Sequence, residues 1–190
     1  MQKMKVMACT CLLAMLFACS KDETKVTLIN NQETDGSFNY VLTCSEDLLK
    51  FITPVAIYHD EKNIEHIDTL NEDVWMKSDS ISIDGKLSIK GGEAFRWRKK
   101  ISFSHFNVSS SMTVKYIKKE NVNYSENDSY RFYHYLICPV VGYTNNSDTI
   151  TFSEGTPIKG SQVADYLQNL SRMSDSRNVA IDADGKINRW

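Results

Sequence analysis

The chain has 190 residues, with 22 basic and 24 acidic side chains, a formal charge of −2 and 42% hydrophobic residues. That much apolar content at so low a net charge excludes a disordered polyelectrolyte. The absence of a basic surplus argues against a nucleic-acid partner.

Lys3 and Lys5 precede an apolar run from Val6 to Ala18 that is broken only by Thr10. As a helix such a run spans roughly 20 Å, short of the ~30 Å hydrocarbon core of a bilayer. A basic start, a short apolar centre and small residues at its end make residues 1–18 a secretory signal rather than a membrane span. The run ends Leu16-Phe17-Ala18-Cys19, which resembles the lipobox of bacterial lipoproteins. The resemblance implies cleavage before Cys19 and acylation of that residue. Each buried CH₂ adds about 0.8 kcal/mol, so several acyl chains hold durably where one holds marginally.

Ser20-Lys21-Asp22-Glu23 resembles the surface-export signal of Bacteroidota lipoproteins. The resemblance implies a lipidated tether at 19–24 and an outer-membrane protein facing outward; the alternative is a plain solvated linker on the periplasmic face. Losing the signal removes two lysines and no acid, which takes the charge from −2 to −4. Cys9 and Cys11 leave with it, so only Cys44 and Cys138 remain beside Cys19. An exported compartment permits them a disulfide, and two buried thiols acting as small hydrophobes are the alternative.

Residues 25–190 read as a single β-rich domain. Alternating β-branched and aromatic residues predict strands at Lys25–Asn30, Phe38–Cys44 and Thr53–His59. Ser45 to Leu49 forms a helical turn capped by Ser45, and Pro54 is expected to end it. A loop at Asp60–Asn63 leads into Ile64–Leu70. It would oppose His59 to Ile64 and Ile57 to His66, leaving both histidines on one face about 7–8 Å apart. With Asp60, Glu61 and Glu65 they are the richest set of metal-ligand types. Catalytic zinc wants three protein ligands, so the cluster is read as a polar hairpin tip and not as a site.

Ile81, Ile83, Leu87 and Ile89 flank Asp84-Gly85-Lys86. Keeping them on one face requires a three-residue loop that opposes Ile83 to Leu87. After a break at Gly91-Gly92, Phe95, Trp97, Ile101 and Phe103 share one strand face with Lys99. Arg96, Arg98 and Lys100 share the other with Ser102 and Ser104. Those three form a candidate binding strip for an acidic glycan or a partner protein, extended by Lys115, Lys118 and Lys119 if their strand is the neighbour. The competing reading is a charged, protected edge.

Strands follow at Met112–Lys118, at Tyr130–Tyr143 and at Thr149–Phe152. Pro139 and Gly142 mark the second of these as bulged or at an edge. Its Tyr130, Phe132, Tyr133, His134, Tyr135 and Tyr143 read as core and cross-strand pairs, with a sugar-stacking platform as the alternative. Val163, Tyr166, Leu167, Leu170 and Met173 recur at helical spacing and predict one helix, Ser161–Met173, capped by Ser161. A hairpin of Val179–Asp182 and Lys186–Trp190 closes the chain. Its Asp182-Ala183-Asp184-Gly185 has part of a calcium-loop pattern, but alignment on Gly185 puts Ala180 at the first ligand position and runs off the end, so a turn is expected.

Cys44-Ser45-Glu46-Asp47-Leu48-Leu49, Tyr58-His59-Asp60 and Val114-Lys115-Tyr116-Ile117 resemble segments of Bacteroidota lipoproteins with an immunoglobulin-like sandwich, over Lys25 to Lys119. The expected fold is therefore mainly β, an antiparallel immunoglobulin-like sandwich with one helix near the C-terminus, or alternatively a small β-barrel. Asp68-Thr69-Leu70, Asp79-Ser80-Ile81 and Asp148-Thr149-Ile150 resemble the O-glycosylation sequon of Bacteroidota.

No GxSxG, HExxH, phosphate loop or dinucleotide fingerprint occurs, and no cofactor is implied. The expectation is a non-enzymatic, lipid-anchored envelope module that binds a protein or glycan. An accessory subunit of an outer-membrane complex, or a hydrolase whose residues meet only in space, are the alternatives.

Overall fold

The computed structural model describes residues 35–83, 85, 87–142 and 149–190. The signal, Cys19, the tether, the expected strand Lys25–Asn30, Asp84, Lys86, Tyr143 and Asp148 lie outside the described residues.

β1 (Gly36–Cys44) is buried along nearly its whole length because apolar groups cover both of its faces. Phe38, Tyr40, Leu42 and Cys44 enter the main core, whereas Val41 joins Ile83, Leu87, Ile89 and Val141 in a smaller one. Ser45 then turns the chain into α1 (Glu46–Phe51), its Oγ accepting the Leu48 N–H at 3.3 Å. The acids Glu46 and Asp47 sit in the first turn, where the helix dipole favours them. The helix already stops at Phe51, so Pro54 lies inside β2 (Ile52–His59) rather than ending the helix. Its carbonyl accepts the Leu70 N–H at 2.9 Å.

β3 (Glu65–Thr69) is followed by a single 3₁₀ turn, Glu72–Val74, and by β4 (Met76–Ile83) and β5 (Leu87–Phe103). Ile83 pairs with Leu87 and Ile81 with Ile89, the register that a common apolar face requires. β5 then runs on through Gly91-Gly92 instead of breaking there. Between the pairs Ser78↔Ala94 and Ser80↔Lys90, three residues of β5 oppose Asp79 alone, a bulge made possible by φ of +145° at Gly91 and +45° at Gly92.

The remaining elements are β6 (Val108–Lys118), β7 (Ser129–Tyr130), β8 (His134–Ile137), β9 (Val140–Val141), β10 (Thr149–Thr151), β11 (Ile158–Lys159), α2 (Val163–Leu170), β12 (Ser174–Ile181) and β13 (Ile187–Arg189). β8 and β9 follow one register along β1. They are split at Pro139, which has no N–H for the ladder and offers only its carbonyl, to Asn39 N at 2.8 Å. This divides the single strand expected over Tyr130–Tyr143 and leaves β8 at a sheet edge.

α2 is shorter than the apolar spacing implies. A 3₁₀ turn, Gly160–Gln162, precedes it, so Ser161 does not cap, and Met173 lies beyond its end, 61% exposed. Val163, Leu167 and Leu170 are its buried stripe.

One sheet runs β10-β5-β1-β8, with β4 on β5 and β9 on β1; the other runs β13-β12-β6-β2-β3. Apart from β10, which lies parallel to β5, their pairings are antiparallel. The inward faces of both sheets supply the main core. The fold is a β-sandwich with one helix near the C-terminus, and the sheets do not close into a barrel. Among the described residues no helix is long and apolar enough to cross a membrane.

Candidate functional site

A cleft of about 630 Å³ opens between α1 and the 3₁₀ turn. Glu46, Leu49 and Lys50 stand at helical spacing and bring one face of α1 to it. Ile52, Leu70, Trp75 and Phe95 complete an apolar floor, with Glu72 and Lys119 at the rim. Trp75 is held in place: its indole Nε1 donates to the Leu70 carbonyl at 3.2 Å, and Leu70 N is itself bonded to Pro54.

Most of the rim charges are paired, with Asp73 adding a further acid. Lys50 meets Asp47 at 2.9 Å, Lys119 meets Glu72 at 3.4 Å, and Lys77 meets Glu46 at 3.1 Å and Glu93 at 3.3 Å. Burial pushes the Asp47 carboxyl up, but the Arg131 backbone N–H and Lys50 together hold it below the ordinary carboxylate range. An apolar floor with a fixed aromatic and a largely paired rim without a basic surplus suits an uncharged amphipathic ligand better than an acidic one. Sequence patterning did not point here, because the lining comes from α1, β2, the 3₁₀ turn and β5. Only the Ser45 cap, which starts α1, gave a local hint.

The expected basic strip does not form. Arg96 is fully buried, and its guanidinium donates to the backbone carbonyls of Ser78 and Gly91 in the bulge, the latter at 3.0 Å. Arg98 and Lys100 remain exposed, with Arg98 Nη1 donating to Ser82 O at 3.3 Å. Lys115 and Lys118 belong to β6, and Lys119 follows it, in the opposite sheet. Alternation placed Arg96 on the correct side of β5 but could not reveal carbonyls folded onto that side.

Cys44 and Cys138 are both free and buried. Cys44 pairs with His134 and Val41 with Ile137, so the cysteines sit four residues apart along paired strands. That is roughly 13 Å at strand rise, beyond the ~7 Å Cα reach of a disulfide. Burial pushes the Cys138 thiol up to about 12.

The histidines at the hairpin tip are separated by a one-residue change of register. Asp60 Oδ1 accepts the N–H groups of Lys62 and Ile64, both at 2.9 Å, and Asn63 takes φ +59°. The loop is therefore 61–63, His59 pairs with Glu65 and Tyr58 with His66. His66 stacks on Tyr58 at 5.2 Å and meets Asp60 Oδ2 at 3.1 Å, while His59 points to the other face and meets Ser111 Oγ at 3.3 Å. Near the C-terminus, Asp182 Oδ1 accepts from Asp184 N at 3.1 Å and Lys186 N at 2.7 Å, making the expected turn.

Tyr130 and Phe132 pack on Phe51, each at 5.4 Å, as core. Tyr133, Tyr135 and Phe152 form a partly covered ladder, with Tyr135 and Phe152 stacked at 4.7 Å. Thr69, in one of the three glycosylation-like tripeptides, is exposed on β3.

A second polar cluster joins the two sheets. Tyr116 on β6 donates to Asp175 Oδ2 at 2.5 Å, and His134 Nδ1 on β8 lies 2.7 Å from that same oxygen and 2.9 Å from the Tyr116 hydroxyl. Burial pushes Asp175 up, and the bonds from His134 and Tyr116 outweigh it to hold the carboxyl below its usual value. Burial and the bond to Asp175 push the Tyr116 phenol well up. Its members lie far apart in the chain, and Asp175 sits in a polar stretch with no strand signature of its own. Among the described residues no three His, Cys, Asp or Glu side chains are placed to share a metal ion.

Comparison of the chain with protein-family models, with curated proteins and with solved structures finds no match.

Proposed function

We propose that this chain is a non-enzymatic, lipid-anchored module of the bacterial outer membrane that binds an uncharged glycan in the cleft of Trp75. The observation that carries the reading is the indole fixed by the Leu70 carbonyl at 3.2 Å inside a cleft of about 630 Å³. Sugars stack on rigid aromatic faces, and an aromatic already locked loses little entropy on binding. Paired rim charges favour a neutral ligand over an acidic one. The anchor rests on the lipobox-like Leu16-Phe17-Ala18-Cys19.

The test is a glycan array probed with full-length chain, followed by calorimetry on any glycan retained. The reading expects micromolar to millimolar binding that Trp75→Ala weakens at least tenfold. An array without retained glycans, or affinity unchanged in Trp75→Ala, overturns it. Growth with labelled palmitate tests the anchor, which requires incorporation that disappears in Cys19→Ala.

A second reading, an accessory subunit of an envelope complex, is favoured by β3, which is an edge strand among the described residues. There Ile67 is 63% exposed, with Ile64 beside the strand at 53%. Edge strands carrying apolar groups invite pairing with another chain. Co-purification in fixed ratio that Ile67→Lys abolishes would support it.

A further inference from the structure

We propose that the Tyr116 hydroxyl, His134 Nδ1 and one Asp175 carboxylate oxygen form a binding site for a hard trivalent metal ion, ferric iron being the best chemical match. None of the three lines the cleft, so the proposal stands apart from the glycan reading.

The three donor atoms form a closed triangle with edges of 2.5, 2.7 and 2.9 Å. With His134 as the Nδ1–H tautomer, which lets it donate to Asp175, only two protons are available to the triangle, the phenol O–H and the imidazole Nδ1–H. Two edges are satisfied by donation to Asp175, and the third brings the Tyr116 oxygen against His134 without a proton of its own to share. A cation that replaces both protons relieves that crowding. An ion about 1.3 Å above the triangle stands roughly 2.0–2.1 Å from all three atoms, the ordinary length of metal–nitrogen and metal–oxygen bonds.

Each donor comes from a different strand, Tyr116 from β6, His134 from β8 and Asp175 from β12. The site is held by both sheets. Tyr116 is 2% exposed, while the side chains of His134 and Asp175 keep 18% and 30% of their surface in solvent. One side of the triangle is therefore lined by protein, and a path to solvent remains for entry and for water to complete the coordination sphere. Three protein ligands on one face leave the opposite positions open for water, and iron takes mixed imidazole and oxygen donors.

The donor chemistry selects the ion. Phenolate and carboxylate are hard anionic oxygens, and imidazole suits iron as well as zinc and copper. Two hard anionic oxygens in one set of three donors favour a small, highly charged cation over a soft or weakly polarising one. On binding, the Tyr116 proton leaves to solvent and the Nδ1 proton of His134 is replaced by one on Nε2. The net release is one proton per ion. Arg177 also acts on Asp175 and moderates the negative charge of the site.

The experiment is a titration of the full-length chain in detergent with ferric citrate, read by visible absorption and by iron content after gel filtration. The proposal expects one iron per chain and a tyrosinate-to-iron charge-transfer band. Tyr116→Phe, which keeps the ring packing, removes the band. Asp175→Asn weakens retention at least tenfold while Tyr166→Phe leaves the band in place. Far-ultraviolet circular dichroism confirms that each variant is folded, and Asp175→Asn carries the test should Tyr116→Phe fail to fold. No band and no retained iron on folded wild-type chain overturns the proposal. A band that persists in Tyr116→Phe, or iron retained equally by Asp175→Asn, marks adventitious iron and overturns it as well.

Discussion

Trp75 and Leu70 are joined by an indole N–H donated to a backbone carbonyl at 3.2 Å, and that bond fixes the aromatic wall of the cleft. Trp75→Phe keeps an aromatic face but loses the bond. It is expected to weaken glycan binding by several-fold through lost orientation, with unfolding stability lowered by only about 1 kcal/mol. Leu70→Ala, at a site 2% exposed, should instead cost about 2–5 kcal/mol. Calorimetric titration and urea unfolding separate the two effects.

Arg96 and Arg98 are chemically alike and two residues apart, yet only Arg96 is buried. Arg96→Ala strips carbonyls in the bulge of their donor and leaves a cavity, so a loss of about 3 kcal/mol is expected. Arg98→Ala should stay within about 0.5 kcal/mol of wild type. Equal urea midpoints for the two variants would contradict the assignment of Arg96 to the fold.

Asp47 links α1 to the chain at Arg131 through its carboxylate. Its folded pKa lies below the unfolded one, so its contribution is complete above the ordinary carboxylate value and fades as pH falls through the lower folded value. Asp47→Asn should therefore reduce stability at neutral pH and flatten its decline in acid. Thermal melts from neutral pH down to about pH 2 check this, since an ordinary Asp titrates near 3.9 and the loss falls below that value.

Cys44 and Cys138 should resist alkylation in the native chain and react together on unfolding, because burial disfavours both thiolates. Mass spectrometry without reductant is expected to find both thiols free. A disulfide between them would require a register other than Cys44 opposite His134.

The parts of the fold legible in the sequence are those with local causes. The Ser45 cap, the loop that keeps Ile83 opposite Leu87, and the Pro139 edge each follow from a few neighbouring residues. The misreadings share a different origin. The turn at 61–63 differs by one residue from the expected loop, and one residue was enough to send His59 and His66 to opposite faces. β12 opens with Ser174-Asp175-Ser176-Arg177-Asn178, which has no strand pattern and is extended because β6 pairs with it. The cleft and the Tyr116–His134–Asp175 cluster were hidden for the same reason, being assembled by tertiary contacts between distant segments.

Hydrogen exchange of the full-length chain, with and without a glycan retained on the array, tests the binding account most directly. Slowed exchange confined to residues 46–50 and 70–75 is the predicted result, absent in Trp75→Ala. Protection elsewhere on the sandwich, or the same footprint in wild type and Trp75→Ala, would contradict it.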